Sequence, residues 1–200
     1  PSWASTDHSA TFPSPTCTGY TFAGWYTAAS GGSKVTSYTG TSNVTYYAHW
    51  NINSYTLTVN PNGGTWNSST SSQTFTQNYA TTKAIANPTA TPTYTISYNA
   101  NSQGASYTGS PTSVSRPFTG WSLSGSGSIS GTTYTYGAGN GTLTASYSGT
   151  SNSFTLPAIS KTGYSCVWKK GSASGTAYSG GTSVTVTGNT TYYASCTINS

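Results

Sequence analysis

Apolar and polar residues alternate along several short stretches of the chain. They include Tyr55-Thr56-Leu57-Thr58-Val59, Tyr94-Thr95-Ile96-Ser97-Tyr98 and Ser183-Val184-Thr185-Val186-Thr187. Successive side chains of a strand point to opposite faces, so a period of two predicts strands with one face buried and one wet. Asn62-Gly63-Gly64, Asn140-Gly141 and Gly188-Asn189 punctuate these stretches. Asn and Gly tolerate the positive φ that tight hairpin turns demand. Helix signals are nearly absent: Leu is rare, Glu is missing, and Gly or Pro interrupts almost every stretch. The pattern predicts an all-β or β-rich chain with little helix.

A longer period lies over the short one. Residues 18–26 read TGYTFAGWY, residues 117–122 read PFTGWS and residues 162–168 read TGYSCVW. Each is followed by a Gly/Ser-rich stretch and then by a strand ending in aromatic residues. These endings are VTYYAHW at 44–50, GTLTASY at 141–147 and NTTYYASC at 189–196. The distances from Trp25 to Trp50, Trp121 to Tyr147 and Trp168 to Cys196 are similar, which points to a repeated structural unit. Three copies are expected, at residues 1–53, 54–150 and 151–200. The first lacks an opening strand. The second has two, at Tyr55 and Tyr94, before its single GWS. The extra opening reads either as an inserted hairpin or as the remnant of a module without its GW half.

Taken together, Tyr55–Thr65 (YTLTVNPNGGT), Thr18–Trp25 (TGYTFAGW) and Tyr46–Trp50 (YYAHW) resemble the Listeria–Bacteroides repeat, the internalin B-repeat-like module of bacterial surface proteins. The resemblance implies small β-grasp-like modules in tandem on secreted or cell-wall-anchored proteins. Asn101-Ser102-Gln103-Gly104 stands where Asn-Gly-Gly is expected, and the third copy ends in Cys196 in place of Trp.

The motif aromatics are expected to be structural. A Trp buries roughly 150–250 Å², and a small module has little other means of building a core. Trp25, Trp50, Trp121, Trp168, Phe22, Tyr20 and Tyr164 are the expected core. Trp3 and Trp66 lie outside the repeat pattern, and Trp66 follows a Gly-Gly turn. Both are candidate ligand-facing aromatics, together with Tyr46 and Tyr192 of the two Tyr-Tyr pairs, since adjacent residues point to opposite faces.

Aligning TGYTF with TGYSC puts Cys166 at the place of Phe22. Aligning YYAHW with YYASC puts Cys196 at the place of Trp50. Two aromatic positions on neighbouring strands changed together to Cys predict a disulfide and an oxidising compartment. Cys17 is left over.

Charge narrows the function. Only 4% of residues are charged, against about 25% in ordinary domains. With Asp7 as the sole acidic residue, there are no paired carboxylates for glycoside hydrolysis. The six cations are scattered, which excludes the clustered basic face of a nucleic-acid binder. Two His and three Cys without C-x-x-C spacing suggest no metal site, and no cofactor is expected. Asp7-His8 beside abundant Ser does not make a catalytic triad by adjacency alone. No apolar run is long enough for a membrane helix. The expectation is a non-enzymatic, extracellular tandem-repeat segment acting as stalk, adhesin or filament component. Its partners would be other copies or neighbouring repeats, met through strand edges that carry few Lys gatekeepers. The alternative is a module that binds carbohydrate or a host receptor.

Overall fold

The computed structural model describes residues 9–39 and 42–200. No helix occurs among them, and the chain is all-β. The first copy supplies β1 (Ser9–Ala10), β2 (Tyr20–Tyr26), β3 (Lys34–Val35), β4 (Tyr38–Thr39) and β5 (Tyr47–Ile52). β2 is central in a three-stranded sheet of order β3-β2-β5, and β1 pairs with β4. The β2–β5 register runs Phe22↔Trp50, Gly24↔His49 and Trp25↔Ala48, with a bulge between Phe22 and Gly24. Gly24 holds φ 134° there, and Gly120 of the second GW motif holds φ 142°. A Cβ disfavours such angles, which explains the Gly before each Trp. The third copy has one residue fewer, pairs Cys166↔Cys196, Val167↔Ser195 and Trp168↔Ala194 without a bulge, and carries Val in place of Gly.

The chain continues through a first opening hairpin, β6 (Ser54–Asn60), β7 (Gln73–Asn78) and β8 (Thr82–Ala84). A second opening follows, β9 (Thr93–Asn99), β10 (Ser106–Tyr107) and β11 (Thr112–Ser115). Then comes the GWS half, β12 (Phe118–Gly125), β13 (Ser128–Ser130), β14 (Thr133–Thr135) and β15 (Gly141–Tyr147). The last part holds β16 (Phe154–Thr155), β17 (Ile159–Ser160), β18 (Tyr164–Lys170), β19 (Ala177–Tyr178), β20 (Ser183–Val184) and β21 (Thr190–Ile198).

Strand order decides which opening belongs to which closing half. One sheet runs β12-β15-β6-β7 and another runs β11-β9-β21-β18-β19. The sequence leaves two readings open, an inserted hairpin or a module without its GW half; neither describes the opening at Tyr94, which serves the closing half in residues 151–200. Its strand β9 lies parallel to β21, in the register Ile96↔Thr190 to Asn99↔Tyr193. The two copies are interleaved along the chain: first opening, second opening, first closing half, second closing half. A parallel pair needs a crossover connection, and here that connection includes the other copy's GWS half.

By contacts the chain divides into two compact units. One comprises residues up to Val59, Gln73–Ile85 and Leu123–Leu143; the other comprises Asn60–Ser72, Ala86–Ser122 and Thr144–Ser200. In the first unit Leu57, Val59, Ile85, Tyr134, Tyr136 and Leu143 are buried. In the second, Ile96, Val114, Leu156, Trp168, Val184, Val186, Tyr192 and Ala194 form one apolar cluster.

Candidate functional site

The predicted disulfide is present. Cys166 and Cys196 face each other across β18 and β21, with Cα atoms 4.1 Å apart. The same two positions hold Phe22 and Trp50 in the first copy, with ring centroids 5.3 Å apart. In the middle copy they hold Phe118 and Tyr147, 5.9 Å apart. One cross-strand pair site is thus filled twice by edge-on rings and once by a covalent bond. Cys17 is free and exposed.

Two of the repeat Trp residues, Trp25 and Trp168, anchor by their indole nitrogens as well as by area, whereas the Trp121 indole nitrogen is buried without a hydrogen-bond partner. Trp25 Nε1 donates to the Pro13 carbonyl at 2.8 Å, and Trp168 Nε1 to the Pro157 carbonyl at 2.9 Å. Trp168 is fully buried. Trp25, Trp50, Trp121 and Phe22 are half-buried. Tyr20, expected in the core, is instead 37% exposed. It stands edge-on to Tyr79 at 6.0 Å, beside Gly19, which has no Cβ to obstruct the Tyr79 ring. Its counterpart Tyr164 is half-buried and carries the Lys161 ammonium 4.1 Å above its ring.

Two aromatics expected to face a ligand belong to the interior. Trp66 is only 5% exposed. It donates from Nε1 to the Ala86 carbonyl at 2.9 Å and meets Trp121 edge-on at 6.1 Å. Tyr107 of the other opening does the same to Trp168, at 4.9 Å. Each opening hairpin therefore brings an aromatic onto its own repeat Trp, a role that the Gly-Gly turn before Trp66 conceals. Tyr192 is fully buried, while Tyr193 is half-buried. Burial pushes the Tyr192 phenol up to about 12, with Tyr178 and Tyr98 adding to the shift. Trp3, Asp7 and His8 lie outside the described residues, and with them the Asp7-His8 pair. His49 stacks on Tyr26 at 3.9 Å and donates from Nε2 to the Ala28 carbonyl at 2.9 Å. No group of three His, Cys, Asp or Glu occurs among the described residues.

Among the described ligand-facing candidates, Tyr46 alone lines an open cavity. With Phe12, Tyr38, Ser42, Asn43 and Val44 it lines a cavity of about 410 Å³. Phe12 meets it edge-on at 5.2 Å, and Tyr38 at 6.3 Å. Nearby Val44, Tyr47 and Ile52 are 51%, 41% and 41% exposed. A concentration of exposed apolar side chains is the surface signal that calls for an explanation, and here it follows the closing strand of the first copy.

Comparison with known families gives the setting. The model of the Listeria-Bacteroides repeat domain matches residues 4–49 and 133–195, more than half of the chain. The chain belongs to this family. Listeria-Bacteroides repeats are typical of bacterial surface proteins and are generally non-catalytic. The first match ends within the closing strand of the first copy. The second runs from β14 into β21, takes in Cys166 and stops one residue short of Cys196. No solved structure matches the chain.

Proposed function

We propose that this chain is an extracellular, non-enzymatic segment of a bacterial surface protein, in which repeats in series serve as a stalk or as part of an adhesive or filamentous surface. The observation that carries the reading is the Cys166–Cys196 bond, placed where sister copies use an aromatic pair. A disulfide substituted at a recurring cross-strand position suits a protein matured in an oxidising compartment. The low charge supports the associative part of the reading, because few charges give little mutual repulsion between chains. The glycan-binding alternative loses Trp66 and Tyr192, which lie in the interior.

Antibody labelling of intact cells tests the location. Staining of intact cells that disappears after external protease treatment is the expected result. Signal seen only after lysis would overturn the reading. Mass measurement after alkylation without reductant should show one modified thiol, Cys17, and two more after reduction.

A further inference from the structure

The three closing segments align without gaps as Asn43–Trp50, Asn140–Tyr147 and Asn189–Cys196. In the two complete copies an opening strand lies beside the closing strand, β6 next to β15 and β9 next to β21. Two hydrogen bonds recur in both. The backbone N–H of Thr56 donates to Asn140 Oδ1, and that of Thr95 to Asn189 Oδ1, each at 2.9 Å. Asn62 Nδ2 donates to the Ala145 carbonyl at 2.9 Å, and Asn101 Nδ2 to the Ala194 carbonyl at 3.1 Å. The opening strand is thus clamped at both ends by an Asn on each partner.

Among its described residues the first copy has the receiving half of this arrangement and none of the donating half. Asn43 and Ala48 stand at the two acceptor positions. No described residue pairs with the outer edge of β5, which ends the sheet β3-β2-β5. The closing strand also starts late. β15 begins at Gly141 and β21 at Thr190, both equivalent to Val44, whereas β5 begins only at Tyr47. The residues that are not strand in the first copy, Val44 to Tyr46, match Thr190 to Tyr192, which in the third copy pair with Ile96 to Tyr98. The core position equivalent to Tyr46 is closed in both complete copies, where Leu143 and Tyr192 are fully buried. In the first copy it opens onto the 410 Å³ cavity.

We propose that the outer edge of the first copy is a receptor site for one opening strand of the Tyr55–Thr65 pattern, supplied by a neighbouring repeat outside these 200 residues. The incoming strand lies parallel to Asn43–Ala48. Its Thr56-equivalent N–H meets Asn43 Oδ1, and its Asn62-equivalent amide meets the Ala48 carbonyl. Its Leu57- and Val59-equivalents close the cavity beside Tyr46. This is strand addition, in which main-chain bonds give affinity and alternate side chains give specificity. The proposal rests on the tandem-repeat reading but not on the location of the protein, so failure of surface labelling would leave it standing.

The test uses the full 200-residue chain and a synthetic peptide with the sequence of residues 54–66. Amide exchange followed by NMR should show new protection at Val44–Tyr47, with saturable binding. Asn62→Ala in the peptide should weaken binding about tenfold, as expected for one lost hydrogen bond. Val44→Asp in the protein, at an exposed position, should abolish binding while leaving exchange protection in β9 and β21 unchanged. Several outcomes would overturn the proposal: no binding, equal binding of a scrambled peptide, equal binding of a closing-strand peptide (residues 189–198), or protection at Val44–Tyr47 arising from self-association of the chain alone.

Discussion

Tyr192 shows how much a single side chain carries in a protein with almost no charge. It is fully buried, and its hydroxyl has no hydrogen-bond partner. Burial pushes its ionisation up to about 12, and burial moves Tyr98, Tyr134, Tyr136 and Tyr147 in the same direction. In the unfolded chain a Tyr loses its proton near pH 10. Below that pH both states hold the proton and stability is unaffected. Above it the unfolded state gains by ionising first, so stability falls until the folded-state value is passed. Urea midpoints should therefore hold steady up to about pH 9 and decline between about pH 10 and 12. Tyr192→Phe should leave the neutral midpoint unchanged or raise it, because it removes a buried unpaired hydroxyl. It should also make the alkaline decline shallower; an equally steep decline would refute this assignment. The Tyr-Tyr sequence shows that one ring of each pair turns inward. It does not show which, because both residues are equally suited to either face, and only the strand register sends Tyr192 in and Tyr193 out.

Among the elements, the paired strands of each closing half carry the clearest internal comparison. Phe22 with Trp50, Phe118 with Tyr147 and Cys166 with Cys196 are three fillings of one site. The disulfide spans 30 residues of chain. Replacing both cysteines by Ser should cost about 3–4 kcal/mol by urea denaturation, from the loop-closure entropy returned to the unfolded chain. Cys166→Phe with Cys196→Trp, the pair found in the first copy, should recover part of that loss, whereas either aromatic alone should not. This pair was legible in the sequence because one copy, aligned with the first, changed at two places at once. The burial of Trp66 was not. A Trp after Asn-Gly-Gly-Thr looks like a turn residue, and only the packing of Trp66 on Trp121 and of Tyr107 on Trp168 shows that openings deliver an aromatic to the core.

On the scale of the whole chain, the interleaved order has consequences that no single strand reveals. Alternating residues marked β6, β9 and β21 as strands, but alternation carries no record of a strand's partner. β9 pairs with β21 across most of a hundred residues of intervening chain, and two openings in succession read either as an insertion or as a module without its GW half. Removing residues 149–200 should therefore damage a hairpin that the truncation does not touch. Ile96 and Val114 would lose Trp168, Tyr192 and Val186 from their cluster. Amides of residues 93–115 should exchange freely in the fragment ending at Ser148, while those of β2 and β5 stay protected. Retained protection in 93–115 would mean that the second opening folds without its closing half.

The parallel register of β9 and β21 also bears on how the third copy meets a mechanical load. The N-terminal end of β9 and the C-terminal end of β21 lie at opposite ends of the paired strands. Tension drawn between those ends acts along the strand axes, so the rungs of the ladder resist together instead of peeling apart one after another. The covalent bond from Cys166 to Cys196 then limits how far the chain can extend once the ladder gives way.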